Sequence, residues 1–185
     1  MEISFREFMT CLHGMLFGGF FLMAAFGVIV LLLEWRSDRP HSIARERGQN
    51  AYLMVTAALG WAAVLSGAYV VYPWYRAVAP PGANLAYYPQ RLLMSSPTTA
   101  GWHSLGMEWK EHVAWFAPMV ITMVTFVLTR HRAIWDAERT ARRAVLSFAA
   151  AALVCGLLAG GWGAMIDKAA PVRGTDAFVS LPEAK

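Results

Sequence analysis

Residues 8 to 33 read FMTCLHGMLFGGFFLMAAFGVIVLLL and contain no Asp, Glu, Lys or Arg. About 20 apolar residues of helix cross the hydrocarbon core of a bilayer. This run is longer than that, so it is expected to tilt or to project beyond the membrane. Its length, the lack of a basic segment before it and the lack of a cleavage site make it a retained span rather than a signal sequence. Three further runs follow, at Tyr52 to Tyr72, His112 to Thr129 and Val145 to Ile166. The third is short and contains Pro118, which predicts a kink or a carbonyl satisfied by a neighbour. The expectation is an all-α, integral membrane four-helix bundle forming a single domain over residues 1–185.

Composition agrees. The chain is 57% hydrophobic and 15% charged, against roughly 25% charged in average soluble domains. Nine of the sixteen basic residues fall in two short loops, 34–51 and 130–144. They are Arg36, Arg39, Arg45 and Arg47 in the first, and Arg130, Arg132, Arg139, Arg142 and Arg143 in the second. The positive-inside rule assigns both loops to the cytoplasm. Both termini and the loop 73–111 are then extracytoplasmic, most naturally in a bacterial inner membrane. Because most of the arginines sit in short loops between spans, nucleic acid is not an expected partner. Cys11 and Cys155 lie at different depths and are not expected to pair.

The outer loop is too aromatic for a disordered linker. Tyr75, Tyr87, Tyr88, Trp102 and Trp109 stand in it, with Leu92, Leu93 and Met94. Pro80-Pro81-Gly82 and Ser95-Ser96-Pro97 divide it into short pieces. A partly structured cap over the outer end of the bundle is the expectation. Small residues at helical spacing, Gly14 and Gly18, Gly60 and Gly67, and Gly156, Gly160 and Ala164, predict close helix contacts or docking of other membrane subunits.

Chemistry concentrates at the outer end. Counted from the cytoplasmic side, His13 and His112 lie at nearly equal depth on the first and third helices. Tyr69, Tyr72 and Asp167 reach the same level, with His103, Glu108 and Glu111 just above and Glu7 near the first helix. Ionisable groups within a span are functional candidates by default. Two neutral imidazoles facing each other can ligate haem iron axially. On that reading His13 and His112 are the ligands, with His103 as an alternative. Glu108, one turn before His112, accepts its second ring N–H. Arg76, Lys110 or Arg6 contacts a propionate.

The layout of four spans with one histidine pair resembles the four-helix membrane cytochromes of b type. That resemblance implies an electron-carrying or accessory subunit of a respiratory assembly, exchanging electrons with quinol or a periplasmic carrier. The second and fourth helices hold no histidine, so it implies one haem b at most, near the outer face. No CxxCH motif calls for covalent haem.

Other readings stand beside it. His13, His103 and His112 with a carboxylate are potential Zn or Cu ligands, and Met9, Met15 and Met107 suit Cu(I). Histidine, carboxylate and tyrosine at a lipid boundary also suit proton exchange with a quinol. Carboxylates at a helix start have an ordinary electrostatic explanation, and tyrosines and tryptophans at the boundary an ordinary interfacial one. A cofactor-free scaffold docking partners through its cap and glycine faces is the main alternative. No nucleophile elbow, HExxH helix, P-loop or dinucleotide fingerprint is present to indicate a stand-alone enzyme.

Overall fold

The computed structural model describes residues 3–34 and 42–173. Arg36, Arg39 and His41 of the first basic loop lie outside the described residues. Four helices are long and apolar enough to cross a membrane: α1 (Phe5–Glu34), α2 (Ile43–Tyr75), α4 (Pro97–Arg130) and α6 (Arg139–Ala169). Two short helices, α3 (Pro89–Met94) and α5 (Arg132–Ala137), lie in the connections. There is no strand among the described residues. Each long helix packs on its neighbours in sequence, and α6 returns to α1, closing a ring.

The spacing of buried residues explains this packing. Phe21, Ala25, Val28 and Leu32 form one stripe of α1, and Ala117, Ile121, Val124 and Leu128 form the matching stripe of α4. Val145, Ala149 and Ala152 face them from α6. Steps of three and four residues keep one face inward through successive turns. The opposite faces expose large apolar side chains such as Met15, Met23, Phe26, Met54, Phe126 and Leu157. That outward surface suits lipid far better than water.

Phe21 is the keystone of the centre. A Cβ at Gly60 of α2 would lie 2.9 Å from the Phe21 ring and 3.3 Å from Pro118 of α4. A Cβ at Gly156 of α6 would lie 2.9 Å from the same ring. Two glycines on two helices therefore make the slot that holds one aromatic ring from a third. Gly14 and Gly18 behave differently. A Cβ at Gly14 meets nothing within 4 Å, and one at Gly18 meets only the carbonyl of His13 in its own helix. The expected GxxxG pair of α1 thus joins no neighbouring helix among the described residues.

Hydrogen bonds inside the spans satisfy the buried threonine hydroxyls. Thr56 and Thr125 donate to carbonyls one turn back, Tyr52 and Ile121. Trp61 Nε1 of α2 donates to Thr122 Oγ1 of α4 at 3.0 Å. Pro118 removes a backbone donor, and the helix loosens into a turn at Ala114–Trp115, three to four residues earlier. This is where a proline leaves carbonyls without an amide.

The helices extend past the apolar runs that announced them. The run 112–129 is the inner part of α4, which begins at Pro97, so residues 97–111 of the expected outer loop are helical. The basic segment 130–144 is likewise folded. Trp135 of α5 is 2% exposed and closes the inner end of the core. Arg142 Nη1 donates to the carbonyls of Trp135 and Asp136. Arg132 reaches back to α2, 3.5 Å from Glu46 and 3.0 Å from Gln49.

Candidate functional site

Three of the long helices depart from α-helical winding at the same end of the bundle. The π-helical stretches are Leu12–Gly19 in α1, Gly67–Val71 in α2 and Trp102–Met107 in α4. π turns are rare, re-aim side chains and recur at functional sites. Here they surround two of the histidines.

His13 stands in the first π stretch and turns toward α2. Its Nδ1 lies 2.8 Å from the Ala63 carbonyl and 3.2 Å from Ser66 Oγ. Its ring rests on Gly67, where a Cβ would come within 2.6 Å of Cε1. A carbonyl has no hydrogen to give, so Nδ1 is the donor. In the neutral ring Nε2 then carries the lone pair. No hydrogen bond ends on that Nε2 among the described residues.

His103, in the third π stretch, is fully engaged. Its Nδ1 is 2.8 Å from the Tyr75 hydroxyl and its Nε2 is 3.2 Å from Gln90 Nε2. An amide nitrogen can only donate, so His103 Nε2 accepts and Nδ1–H donates to Tyr75. Tyr75 is 2% exposed and packs with Leu93, Met107, Ile166 and Ala170. This second core holds the cap onto the bundle. Its edge is the Trp102–Trp162 pair, which needs Gly106: a Cβ there would sit 2.6 Å from the Trp162 ring. The turn at Pro80-Pro81-Gly82 places Gly82 at φ 77° and closes with Ala83 N–H donating to the Pro80 carbonyl. That is the turn such a sequence favours. Replacing His103 with Ala strands the Tyr75 hydroxyl in an apolar core. The expected loss is about 2 kcal/mol, with faster amide exchange over residues 85–94 as the local readout. Exchange unchanged from the wild type would contradict this role for His103.

His112 falls on the other side of its helix. It is exposed, and its Nδ1 bonds the Glu108 carbonyl of its own helix at 2.7 Å. Lys110, two residues earlier, lies along Gly163 of α6. Two residues are about 200° of rotation, so a helix that turns Lys110 inward turns His112 outward. No hydrogen bond or ring contact joins His13 to His112 among the described residues. Equal depth was legible in the sequence, but azimuth was not. The two rings are therefore not brought together inside the bundle among the described residues. Glu108 does orient His112, but through its backbone carbonyl rather than its carboxylate. Arg76 points to Tyr72, donating to its hydroxyl and lying 5.6 Å over its ring. Arg6 lies over Trp74 at 5.8 Å, and Glu7 closes a capping box with Ser4 at the start of α1. Among the described residues no three His, Cys, Asp or Glu side chains converge as a ligand group, so His13, His103 and His112 do not assemble the Zn or Cu site.

What the fold does assemble was undervalued in the sequence. Lys110 is half-buried, its stem flat on Gly163, with Nζ 3.1 Å from where a Cβ would stand. His13, Glu111 and the exposed Asp167 are near enough for their charges to interact with it. No hydrogen bond or ion pair ends on its Nζ among the described residues. Glu111 Oε1 is buried without a hydrogen-bond partner, while the Glu111 carboxylate acts on Tyr72 as a hydrogen-bonding group as well as a charge, and on Tyr75 as a charge. The signal for this group was present: Lys110 and Gly106 share a face of α4 at i, i+4.

No family model, curated protein or solved structure matches the chain.

Proposed function

We propose that the chain is an integral membrane subunit of an electron-transfer or respiratory assembly, working at the end of the bundle that carries the cap. One observation carries the reading: the partly buried ionisable side chains of His13, Lys110 and Glu111 lie at the cap end of apolar helices, and Glu111 Oε1 is buried without a hydrogen-bond partner. Charge in such surroundings is costly and is kept where it moves protons or holds a polar ligand. The apolar outward faces suit lipid, and the arginine-rich end suits the cytoplasmic side. Both termini and the cap are then extracytoplasmic, in a bacterial inner membrane. The working end faces quinol in the bilayer and a periplasmic carrier beyond it, and α1 offers its open Gly14–Gly18 face to other membrane subunits.

The assembly is tested by purifying it from native membranes in mild detergent and adding quinol anaerobically. A quinol-dependent change in its visible spectrum is expected. A preparation with no reducible centre would overturn the proposal and favour a cofactor-free scaffold.

A haem b is a second reading, favoured by one feature. His13 and His112 both spend Nδ1–H on a carbonyl and leave Nε2 free, the state in which histidine binds metal. It requires the two rings to meet at one iron. A Soret band lost in both His13→Ala and His112→Ala would establish it. A band unaffected by either substitution would retire it.

A further inference from the structure

We infer that the arginine-rich end of the bundle is a binding surface for anionic phospholipid, carried by Arg45, Arg47, Arg130, Arg139 and Arg143. The inference stands on the four apolar helices and does not depend on the electron-transfer reading.

Two arginines at this end hold the fold together. Arg132 of α5 lies 3.5 Å from Glu46 of α2 and donates to Gln49 at 3.0 Å. Arg142 of α6 donates to the carbonyls of Trp135 and Asp136 in α5. These contacts draw the start of α2, the end of α4 and the start of α6 around one buried ring, Trp135. Five more arginines stand around that knot. Arg130 ends α4, Arg139 and Arg143 lie in the first two turns of α6, and Arg45 and Arg47 in the first two turns of α2. All five are exposed, and none makes an ion pair or a side-chain hydrogen bond among the described residues. Arg139 and Arg143 are four residues apart and so share a face of α6.

The charge at this end is unbalanced. Among the described residues it holds seven arginines against the carboxylates of Glu34, Glu46, Asp136 and Glu138, an excess of three positive charges. Glu46 is already engaged by Arg132. The first turn of α6 contains no acidic residue, and cations there oppose the helix dipole. Anions from outside the chain relieve both.

The surroundings select the anion. Ile43 and Phe126 are exposed within about a turn of Arg45 and Arg130, and Phe148 is exposed beyond Arg143. A phosphodiester carrying acyl chains matches the charge and the apolar faces beside it. Soluble phosphate and nucleic acid match the charge alone. Guanidinium groups suit phosphate oxygens, and each basic residue near an anionic membrane surface strengthens attraction by about fivefold.

The test titrates the full chain in detergent with dioleoyl-phosphatidylglycerol and, separately, with dioleoyl-phosphatidylcholine, reading bound lipid by native mass spectrometry. Phosphatidylglycerol is expected to bind about tenfold or more tightly than phosphatidylcholine. The double variant Arg139→Gln with Arg143→Gln removes two exposed charges and is expected to lose about tenfold of that preference. Arg45→Gln with Arg130→Gln, on two other helices, is expected to weaken it similarly, so the result does not hang on the start of α6. Arg91→Gln with Lys168→Gln removes two exposed charges at the cap end and is expected to keep the wild-type preference. Millimolar glycerol 3-phosphate is expected not to displace the lipid. Equal affinity of the wild type for the two lipids would overturn the inference. So would full preference in both arginine-end variants, or an equal loss in the cap-end variant, which would make net charge the cause. Displacement of the lipid by glycerol 3-phosphate or by a short DNA duplex would overturn phospholipid as the partner and leave a general anion surface.

Discussion

Phe21→Ala is expected to destabilise the bundle by about 3 kcal/mol, the low end for a buried phenylalanine, because lipid offers less penalty than water for the unpacked state. Gly60→Ala is expected to cost about 1–3 kcal/mol by overpacking, since its new methyl meets the Phe21 ring at 2.9 Å and Pro118 at 3.3 Å. Neither obstacle moves easily. Phe21 is pinned from the other side by Gly156, and Pro118 is a rigid, buried ring in α4. The informative variant is the double substitution. With the ring gone, the methyl at 60 enters the vacated slot, so the two costs combine to less than their sum. Gly156→Ala should show the same coupling to Phe21→Ala. Gly14→Ala, whose Cβ meets nothing, should leave the isolated chain's stability unchanged. Reversible unfolding in mixed micelles measures all of these. Strict additivity of Phe21→Ala and Gly60→Ala would mean that the slot does not govern the packing.

Lys110→Glu is expected to cost about 3 kcal/mol. It places a third carboxylate near Glu111 and Asp167, next to a Glu111 oxygen that is already buried without a partner. Asp167→Asn in the same chain should return part of that loss by removing one repelling partner. Lys110→Met should be much milder, because an apolar stem of similar length still covers Gly163. That contrast separates charge from packing at one position. If Lys110→Glu is as stable as the wild type, then Lys110 faces bulk water and the polar group is not enclosed.

The sequence and the structure part company for physical reasons that differ from place to place. Hydropathy counts residues along a helix, so the four spans were legible, as was the role of Gly60 and Gly156 in close packing. It does not register helix that continues beyond the apolar run, and α4 was therefore read from His112 although it starts at Pro97. Residues 97–111 are rich in Gly, Ser, Thr and charge, which reads as loop until the cap's own core of Tyr75, Leu93 and Met107 is seen. The turn at Pro80-Pro81-Gly82 was readable because only its own residues determine it. The site was half readable. Depth follows from counting, and it correctly gathered His13, Glu111, Tyr72 and Asp167 at one end. Facing depends on rotation about each helix axis, and π stretches in three helices shift that rotation. His112 was expected to oppose His13 for this reason, and Lys110, named only as a potential propionate contact, is the residue that turns inward.

The most direct measurement is the rate at which quinol reduces the purified native assembly, followed by stopped-flow absorbance in wild type and in Lys110→Met. If the ionisable side chains at the cap end receive quinol for electron transfer, the wild type shows a rapid quinol-dependent spectral change. The variant then shows the same final spectrum, reached about tenfold more slowly or worse at equal quinol. Identical rates in the two proteins, or a wild-type assembly whose spectrum quinol never alters, would contradict it.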